Sequence, residues 1–463
     1  MLIERNKNIH INSNRPGLGF YQFDVNGKVA GRKKKLKSAR FIILLLLFLM
    51  TIYTVTAGTE ALVDYFKIPG SASSANLSLA SPGPEKQLLA KKDVQSILNQ
   101  KKFSDIADKE FNLSIKGKNY KIITSIDPFL QEFIKKSLNT KSSRYIGIVA
   151  SEPATGKILS MVGVDKSDPN NNPCVDNKFP AASIFKIVTA AAAIETCRFN
   201  ESIMLPYTGN QHTLYKGQIN KRTERYAHWI TLKDAFAKSV NPVFGKIGAF
   251  YLGKTGIEKY GRYFGFNKNM DFEIPMPPSN LSVSEKPFEL AEVASGFNRA
   301  TTITPVHGAL IAGAILNGGK LMAPSVIDRI FDENQKTIYT AGEEAIGRAV
   351  KPETALIVQK LMAETVKSGT LKRSFRGYQK DRILSRLDIG GKTGSIDNST
   401  HDTRIDWFVG YAREKNGAGE LAVSVIVAHE DHIGIKSGQY ARMIIKQYFQ
   451  NYFANKENNY ARL

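Results

Sequence analysis

The sequence is poor in cysteine, histidine and acid. It has two cysteines, Cys174 and Cys197, which allow one pairing and no more. No zinc-ligand spacing occurs. The seven histidines are scattered, with no His-x-x-x-His pair on a predicted helix. Metal catalysis therefore has little support, and neither metal nor cofactor is expected. No Gly-x-Ser-x-Gly elbow is found, which argues against a Ser-His-Asp hydrolase of that type. No internal repeat is visible. Asp and Glu number 42 against 64 Lys and Arg, a net charge of +22 over 463 residues. A surplus of that size suits an anionic partner. Nucleic acid is not expected, because no recognition-motif signature or aromatic-basic RNA motif accompanies the charge.

What is present begins with an apolar run. Residues 41–58, FIILLLLFLMTIYTVTAG, carry no charge. A stretch of roughly 18 residues can just span a bilayer. Residues 1–40 hold ten Lys and Arg against Glu4 and Asp24, a surplus of eight, and the run Arg32 to Arg40 abuts the apolar stretch. Positive residues stay on the cytoplasmic side. The expected order is a basic cytoplasmic tail (1–40), a transmembrane anchor (41–58) and an extracytoplasmic remainder. That describes a single-pass protein of the cytoplasmic membrane. Val55 to Ala57 also resemble a signal-peptide cleavage site, although a leader of this length is long for one. Residues 59–117 read as linker and spacer, because PGSASSANLSLASPGPEK (69–86) is rich in Pro, Gly and Ser.

Residues 118–455 read as one folded domain. KIITSI (121–126), 145–150, 157–162, 406–412 and 420–428 are strand-like, and 438–453 reads as a closing amphipathic helix. Strands at both ends with helices between them predict an α+β domain. Its antiparallel sheet would be built from both termini and flanked by helices. On the oxidising side of a membrane a disulfide is permitted. Cys174 lies nine residues before Ser183, and Cys197 follows the predicted helix 183–196. That helix would be about 20 Å long, and nine extended residues reach about 30 Å. A Cys174–Cys197 bond is thus feasible, with two separate thiols as the alternative.

The helix AASIFKIVTAAAAI (181–194) is apolar on every face and should be buried. Its one charged side chain is Lys186. Ser183 lies three residues earlier, on the same face. A serine hydroxyl needs a base before it attacks, and burial lowers a lysine's pKa towards that role. The helix N-terminus disfavours the ammonium and favours a developing alkoxide. Ser-x-x-Lys alone can equally be a capping serine with a snorkelling lysine. Two further motifs narrow the choice. Ser239, Val240 and Asn241 form Ser-x-Asn, and Gly391 to Ser395 spell Gly-Lys-Thr-Gly-Ser before the strand-like DWFVGYA. Lys254, Thr255 and Gly256 repeat Lys-Thr-Gly, but in a helical context, with Gly253 and Gly256 read as helix terminators.

In this order, Ser-x-x-Lys, Ser-x-Asn and Lys-Thr-Gly resemble the signature of penicillin-binding proteins and class A β-lactamases. TSIDPFLQ (124–131), IVASEPATGKILSMVG (148–163) and TTITPVHGALIAGAILNGGK (301–320) extend the resemblance to the transpeptidase domain over roughly 118–450. It implies a β-lactamase/transpeptidase-like fold and a D,D-transpeptidase acting on peptidoglycan stem peptides and binding β-lactams covalently. Ser183 would be the nucleophile, Lys186 its base, and Ser239 the relay of a proton to the leaving amine. Asn241 would line the wall, and Lys392 with Thr393 would bind the terminal carboxylate. The N–H groups of Ser183 and Ser395 would form the oxyanion hole. Gly391 and Gly394 would let substrate lie against the strand. With no glycosyltransferase domain in evidence, a glycan-polymerising partner is implied. A D,D-carboxypeptidase, a class D-like β-lactamase and an inert scaffold of the wall-synthesis machinery remain alternatives.

Overall fold

A computed structural model of the chain describes residues 88–98, 108–220, 225–398 and 400–460. The expected tail and anchor, 1–40 and 41–58, lie outside the described residues. Among those described, no helix is long and apolar enough to cross a membrane. The described residues belong to one compact unit, Pro84–Leu463.

The chain opens with α1 (Lys91–Leu98), β1 (Glu110–Ile115), β2 (Lys118–Thr124), α2 (Pro128–Ser137), β3 (Ser143–Ser151) and β4 (Ile158–Asp165). A helical region follows: α3 (Lys186–Cys197), the hairpin β5 (Met204–Tyr207) and β6 (His228–Thr231), then α4 (Leu232–Ala237) and α5 (Asn241–Lys246). Next come α6 (Gly253–Tyr263), α7 (Pro287–Ser295) and α8 (Pro305–Leu316). Short strands β7 (Lys320–Met322), β8 (Ile327–Phe331), β9 (Thr337–Thr340) and β10 (Ala345–Arg348) lead to α9 (Pro352–Lys367). The chain closes with β11 (Leu387–Asp397), β12 (Arg404–Glu414), β13 (Glu420–His429) and α10 (Ser437–Tyr460).

The main sheet has the order β11-β12-β13-β3-β4, and every pairing in it is antiparallel. Late strands thus join early ones, as expected for an α+β domain built from both termini. The sequence of β13, ELAVSVIVAH, is apolar without alternation, so both its faces must be covered. They are. Ile426 and Ala428 share a core with Ile311 and Ile315 of α8, whereas Val425 and Val427 share another with Tyr440 and Ile444 of α10. This sandwich holds β11 rigidly at the sheet's edge, where its outer side is free to meet the helical region.

Local chemistry sets the helix starts. Asp127 caps α2 by accepting from the Leu130 N–H at 3.0 Å, and Pro128 occupies a first position that needs no donor. Thr304 and Pro305 repeat the device for α8. Every residue of α8 is buried. The smaller sheet β1-β2-β8-β9 packs with α1 around a third core. Residues 91–98 and 110–115, within the stretch read as spacer, thereby join the fold. The buried Glu273 helps tie this region, accepting from Ser325, Tyr339 and the Val326 N–H.

Two expectations are corrected. Cys174 and Cys197 are free thiols. Residues 173–175 form a short 3-10 turn against β3 and β4, with the Cys174 thiol 3.3 Å from the Val162 carbonyl. The segment does not fold back along α3, and Cys197 at that helix's far end lies 3.9 Å from the Tyr251 carbonyl. Gly253 does mark a helix boundary, with φ 61°, but Gly256 lies inside α6 rather than ending a helix.

Candidate active site

Ser183 sits in the 3-10 turn Ala182–Phe185, which runs directly into α3. The turn is held tightly. Ala182 has φ 49°, in the left-handed region that non-glycine residues avoid. A Cβ on Gly296, the residue that ends α7, would stand 1.8 Å from the Ala182 carbonyl oxygen. Only glycine admits α7 that close to the nucleophile's turn. Pro180 is anchored to the sheet, its carbonyl accepting from the Trp407 indole N–H at 2.9 Å.

Lys186 is fully buried. Its Nζ lies 2.8 Å from Ser183 Oγ and 2.7 Å from Asn241 Oδ1, and it also donates to the Ser295 carbonyl. The amide of Asn241 cannot be turned round, because its Nδ2 donates to the His212 carbonyl at 2.9 Å. Two of the lysine's three neighbours are therefore obligate acceptors. A neutral amine has two N–H donors and one lone pair. It can satisfy Asn241 and Ser295 with its donors and keep its lone pair for the Ser183 hydroxyl. Burial, and then the charge of Lys392, push the Lys186 pKa well below its ordinary value. An ammonium could donate to all three neighbours as well, so it is the lowered pKa that favours a neutral lysine accepting from Ser183.

The opposite wall comes from β11 and the turn between α4 and α5. Lys392, also fully buried, donates to Ser239 Oγ and to the Thr393 carbonyl, each at 2.9 Å. Burial lowers its pKa to about 7. Ser239 has φ 58°, a second strained backbone at the site. Thr393 Oγ1 lies 2.6 Å from Thr370 Oγ1. Gly394 lets β11 approach the nucleophile, since a Cβ there would meet Ser183 N at 3.3 Å and Ala182 Cβ at 3.1 Å. A Cβ on Gly391 would instead meet the Phe408 ring at 2.7 Å, so that glycine packs the sheet interior.

Ser183, Ser239, Asn241, Thr393 and Ser395 line one cavity of about 620 Å³. Lys186 and Lys392 lie behind its wall, each bonded to one of the cavity's serines. The structure therefore gathers all three sequence motifs. The decoy Lys254 stands apart, half-exposed and 3.5 Å from Glu285. Sequence reasoning missed Thr370, His212 and the Ser295 carbonyl. Thr370 follows Gly369 at the end of α9, and its N–H donates to the Ala237 carbonyl, two residues before Ser239. Nothing in a Ser-Gly-Thr turn announces that contact. His307 is a satisfied core histidine, bonded to Ser279 and the Phe264 carbonyl, its pKa lowered to about 4 by burial.

The family described as the penicillin-binding protein transpeptidase domain matches residues 146–450. The chain belongs to that family. Among curated relatives of this penicillin-binding protein domain, peptidoglycan D,D-transpeptidase PbpA of Mycobacterium tuberculosis is 26% identical over 64% of this chain and 65% of its own length. Stage V sporulation protein D of Bacillus subtilis is 25% identical over 67% of this chain and 50% of its own. The chain thus spans under two thirds of these relatives' lengths. Among solved structures, the D,D-transpeptidase domain of a peptidoglycan glycosyltransferase from Eggerthella lenta aligns with TM-score 0.59 and 24% identity. It covers 71% of this chain and 82% of that one. The penicillin G acyl-enzyme complex of penicillin-binding protein A from Mycobacterium tuberculosis aligns with TM-score 0.56 and 23% identity, over 70% and 78%. These neighbours share the α+β fold described above.

Proposed function

We propose that this protein is a peptidoglycan D,D-transpeptidase that works through a serine acyl-enzyme and binds penicillins covalently. The observation that carries the reading is the buried Ser183–Lys186 pair: Lys186 Nζ lies 2.8 Å from Ser183 Oγ, with no exposure to solvent and a pKa pushed well below its ordinary value. In the proposed reaction Ser183 Oγ gives its proton to Lys186 and attacks the carbonyl of a D-alanyl-D-alanine bond. The developing oxyanion is met by the N–H groups of Ser183 and Ser395, donors fixed before the charge appears. Ser239, polarised by Lys392, passes its proton to the departing amine and takes in its place the one that Lys186 removed from Ser183. The substrate's terminal carboxylate is held by Lys392, Thr393 and Thr370. An amine of a second stem peptide then attacks the acyl carbon, an amide forms, and Ser183 is released.

The matched relatives named as D,D-transpeptidases support this choice over a β-lactamase. A D,D-carboxypeptidase would use the same groups with water as acceptor. Incubation with stem pentapeptide separates them: cross-linked dimers support the transpeptidase reading, and trimmed monomers alone would replace it. Residues 41–58 are proposed as a single-pass anchor that keeps the domain on the outer side of the cytoplasmic membrane. A separate glycosyltransferase is the proposed source of glycan strands.

A further inference from the structure

The cavity does not end at the three motifs. Cross-strand pairing sets Asp406 opposite Ser395, and Arg404 opposite both Asp397 and His429. Side chains alternate along a strand, so Thr393, Ser395, Asp406, Arg404 and His429 share one sheet face. The first turn of α10 covers that face and brings in Ser437. Asp406, His429 and Ser437 all line the cavity that holds Ser183.

These three residues are under-used. Ser437 N–H donates to Asp406 Oδ2 at 2.8 Å, and this is the only side-chain hydrogen bond of Asp406 among the described residues. Oδ1 is left over. His429 is 1% exposed, and its Nε2 has no hydrogen-bond partner, standing 3.7 Å from Asp406 Oδ2. Its Nδ1 accepts from the Gly434 N–H at 3.4 Å, which puts the ring proton on Nε2. Ser437 Oγ, on a residue 1% exposed, also has no partner. Buried polar groups are seldom left unpaired. If Asp406 served only to cap α10, the backbone contact would suffice and the unpaired Ser437 Oγ would have no role. Two cations also line the cavity: Arg404 donates to Ser395 Oγ at 3.0 Å and Asp397 at 3.4 Å, and no hydrogen bond joins the Lys436 side chain to Asp406 among the described residues.

The notch offers a carboxylate oxygen and a hydroxyl as acceptors, which is a site for a cationic donor. Its position says which part of the substrate reaches it. A terminal carboxylate at Thr393 and a scissile carbonyl at Ser395 direct the upstream part of the donor peptide past Ser395 towards Asp397. That path borders β12 at Arg404 and Asp406. Cross-linking requires every stem peptide to carry a primary amine, and on a donor that has not yet served as acceptor this amine is free.

We propose that Asp406, His429 and Ser437 form a subsite for the free side-chain ammonium of the donor stem peptide. Asp406 Oδ1 and Ser437 Oγ accept from the ammonium, and His429 packs beside the carboxylate, its Nε2 3.7 Å from Oδ2. This inference rests on the acyl-enzyme reading above.

The test uses two stem peptides, one with a free side-chain amine and one with that amine acetylated, and benzylpenicillin as a common reference. Acylation rates would be measured for the wild-type chain, Asp406→Asn and Ser437→Ala, each peptide rate divided by the penicillin rate of the same variant. The free amine should favour wild type by about tenfold, the order expected of a charge-assisted hydrogen bond. Asp406→Asn should bring that preference close to one, Ser437→Ala should reduce it, and Asp406→Glu should restore part of it. Because the readout is a ratio within one protein, a loss of folded material cancels. Equal acylation of both peptides by wild type, or an undiminished preference in Asp406→Asn, would overturn the subsite while leaving the acyl-enzyme reading intact. No acyl-enzyme with either peptide or with penicillin would overturn both.

Discussion

Replacing Lys186 tests the neutral-base argument in a way that replacing Ser183 cannot. Among the described residues, Lys186 Nζ is the only hydrogen-bond partner of Ser183 Oγ. Its removal leaves the hydroxyl with no base, and general-base assistance is worth about 10²–10⁴ in rate. Lys186→Ala should lower the penicillin acylation rate by that factor, read by stopped-flow or gel-based labelling with a fluorescent penicillin. The variant also strips donors from Asn241 Oδ1 and the Ser295 carbonyl. An unsatisfied buried acceptor costs about 1–3 kcal/mol, less where water can enter from the cleft, so a lowered Tm is expected without loss of fold. Lys186→Arg sharpens the test. Arginine supplies a fixed positive charge and donors but does not lose its proton in proteins. If Lys186 acts as a base, arginine should be as slow as alanine; if it acts only as a cation, arginine should rescue. Lys254→Ala, in the decoy motif, should label like wild type. Wild-type labelling by Lys186→Ala, or rescue by Lys186→Arg, would refute the reasoning.

Three further outcomes follow from the same geometry. Acylation by a carboxylate-bearing substrate needs Lys186 neutral and Lys392 charged, and the Lys392 pKa of about 7 sets the alkaline limb. The value of kcat/KM should therefore fall about tenfold per pH unit well above pH 7. The limb should vanish when the substrate's terminal carboxylate is amidated. Thr370→Val removes the partner of Thr393 Oγ1 and should raise KM several-fold with a smaller change in kcat, about 1 kcal/mol for one hydrogen bond, as measured by steady-state kinetics. In the native protein an alkylating thiol reagent should modify Cys197 alone. The buried Cys174, its pKa pushed up to about 12, should react only after denaturation, and mass spectrometry would count the adducts.

The motifs were legible because chemistry constrains their spacing: Ser183 and Lys186 are one helical turn apart, and Lys392 and Thr393 are adjacent on an edge strand. The antiparallel sheet was legible because β3, β4, β12 and β13 are apolar runs of strand length at the two ends of the domain. What escaped was set by distant pairings. The contact of Thr370 with Thr393 depends on α9 ending against Ala237. The orientation of Asn241 depends on a backbone carbonyl at His212. Asp406 and His429 meet only because β12 and β13 are in register and α10 begins over them. The disulfide expectation failed for a related reason. Chain length permitted the loop to reach, but Cys174 found apolar cover and two carbonyls between β3 and β4, which took it away from α3.

The central claim is that Ser183, activated by a neutral Lys186, forms the acyl-enzyme. Intact mass spectrometry of the protein after brief exposure to benzylpenicillin, followed by peptide mapping, tests it most directly. The account predicts a single adduct of one intact penicillin per chain, carried by Ser183 and absent from Ser183→Ala. An adduct on any other residue, or an unchanged adduct yield in Ser183→Ala, would contradict it.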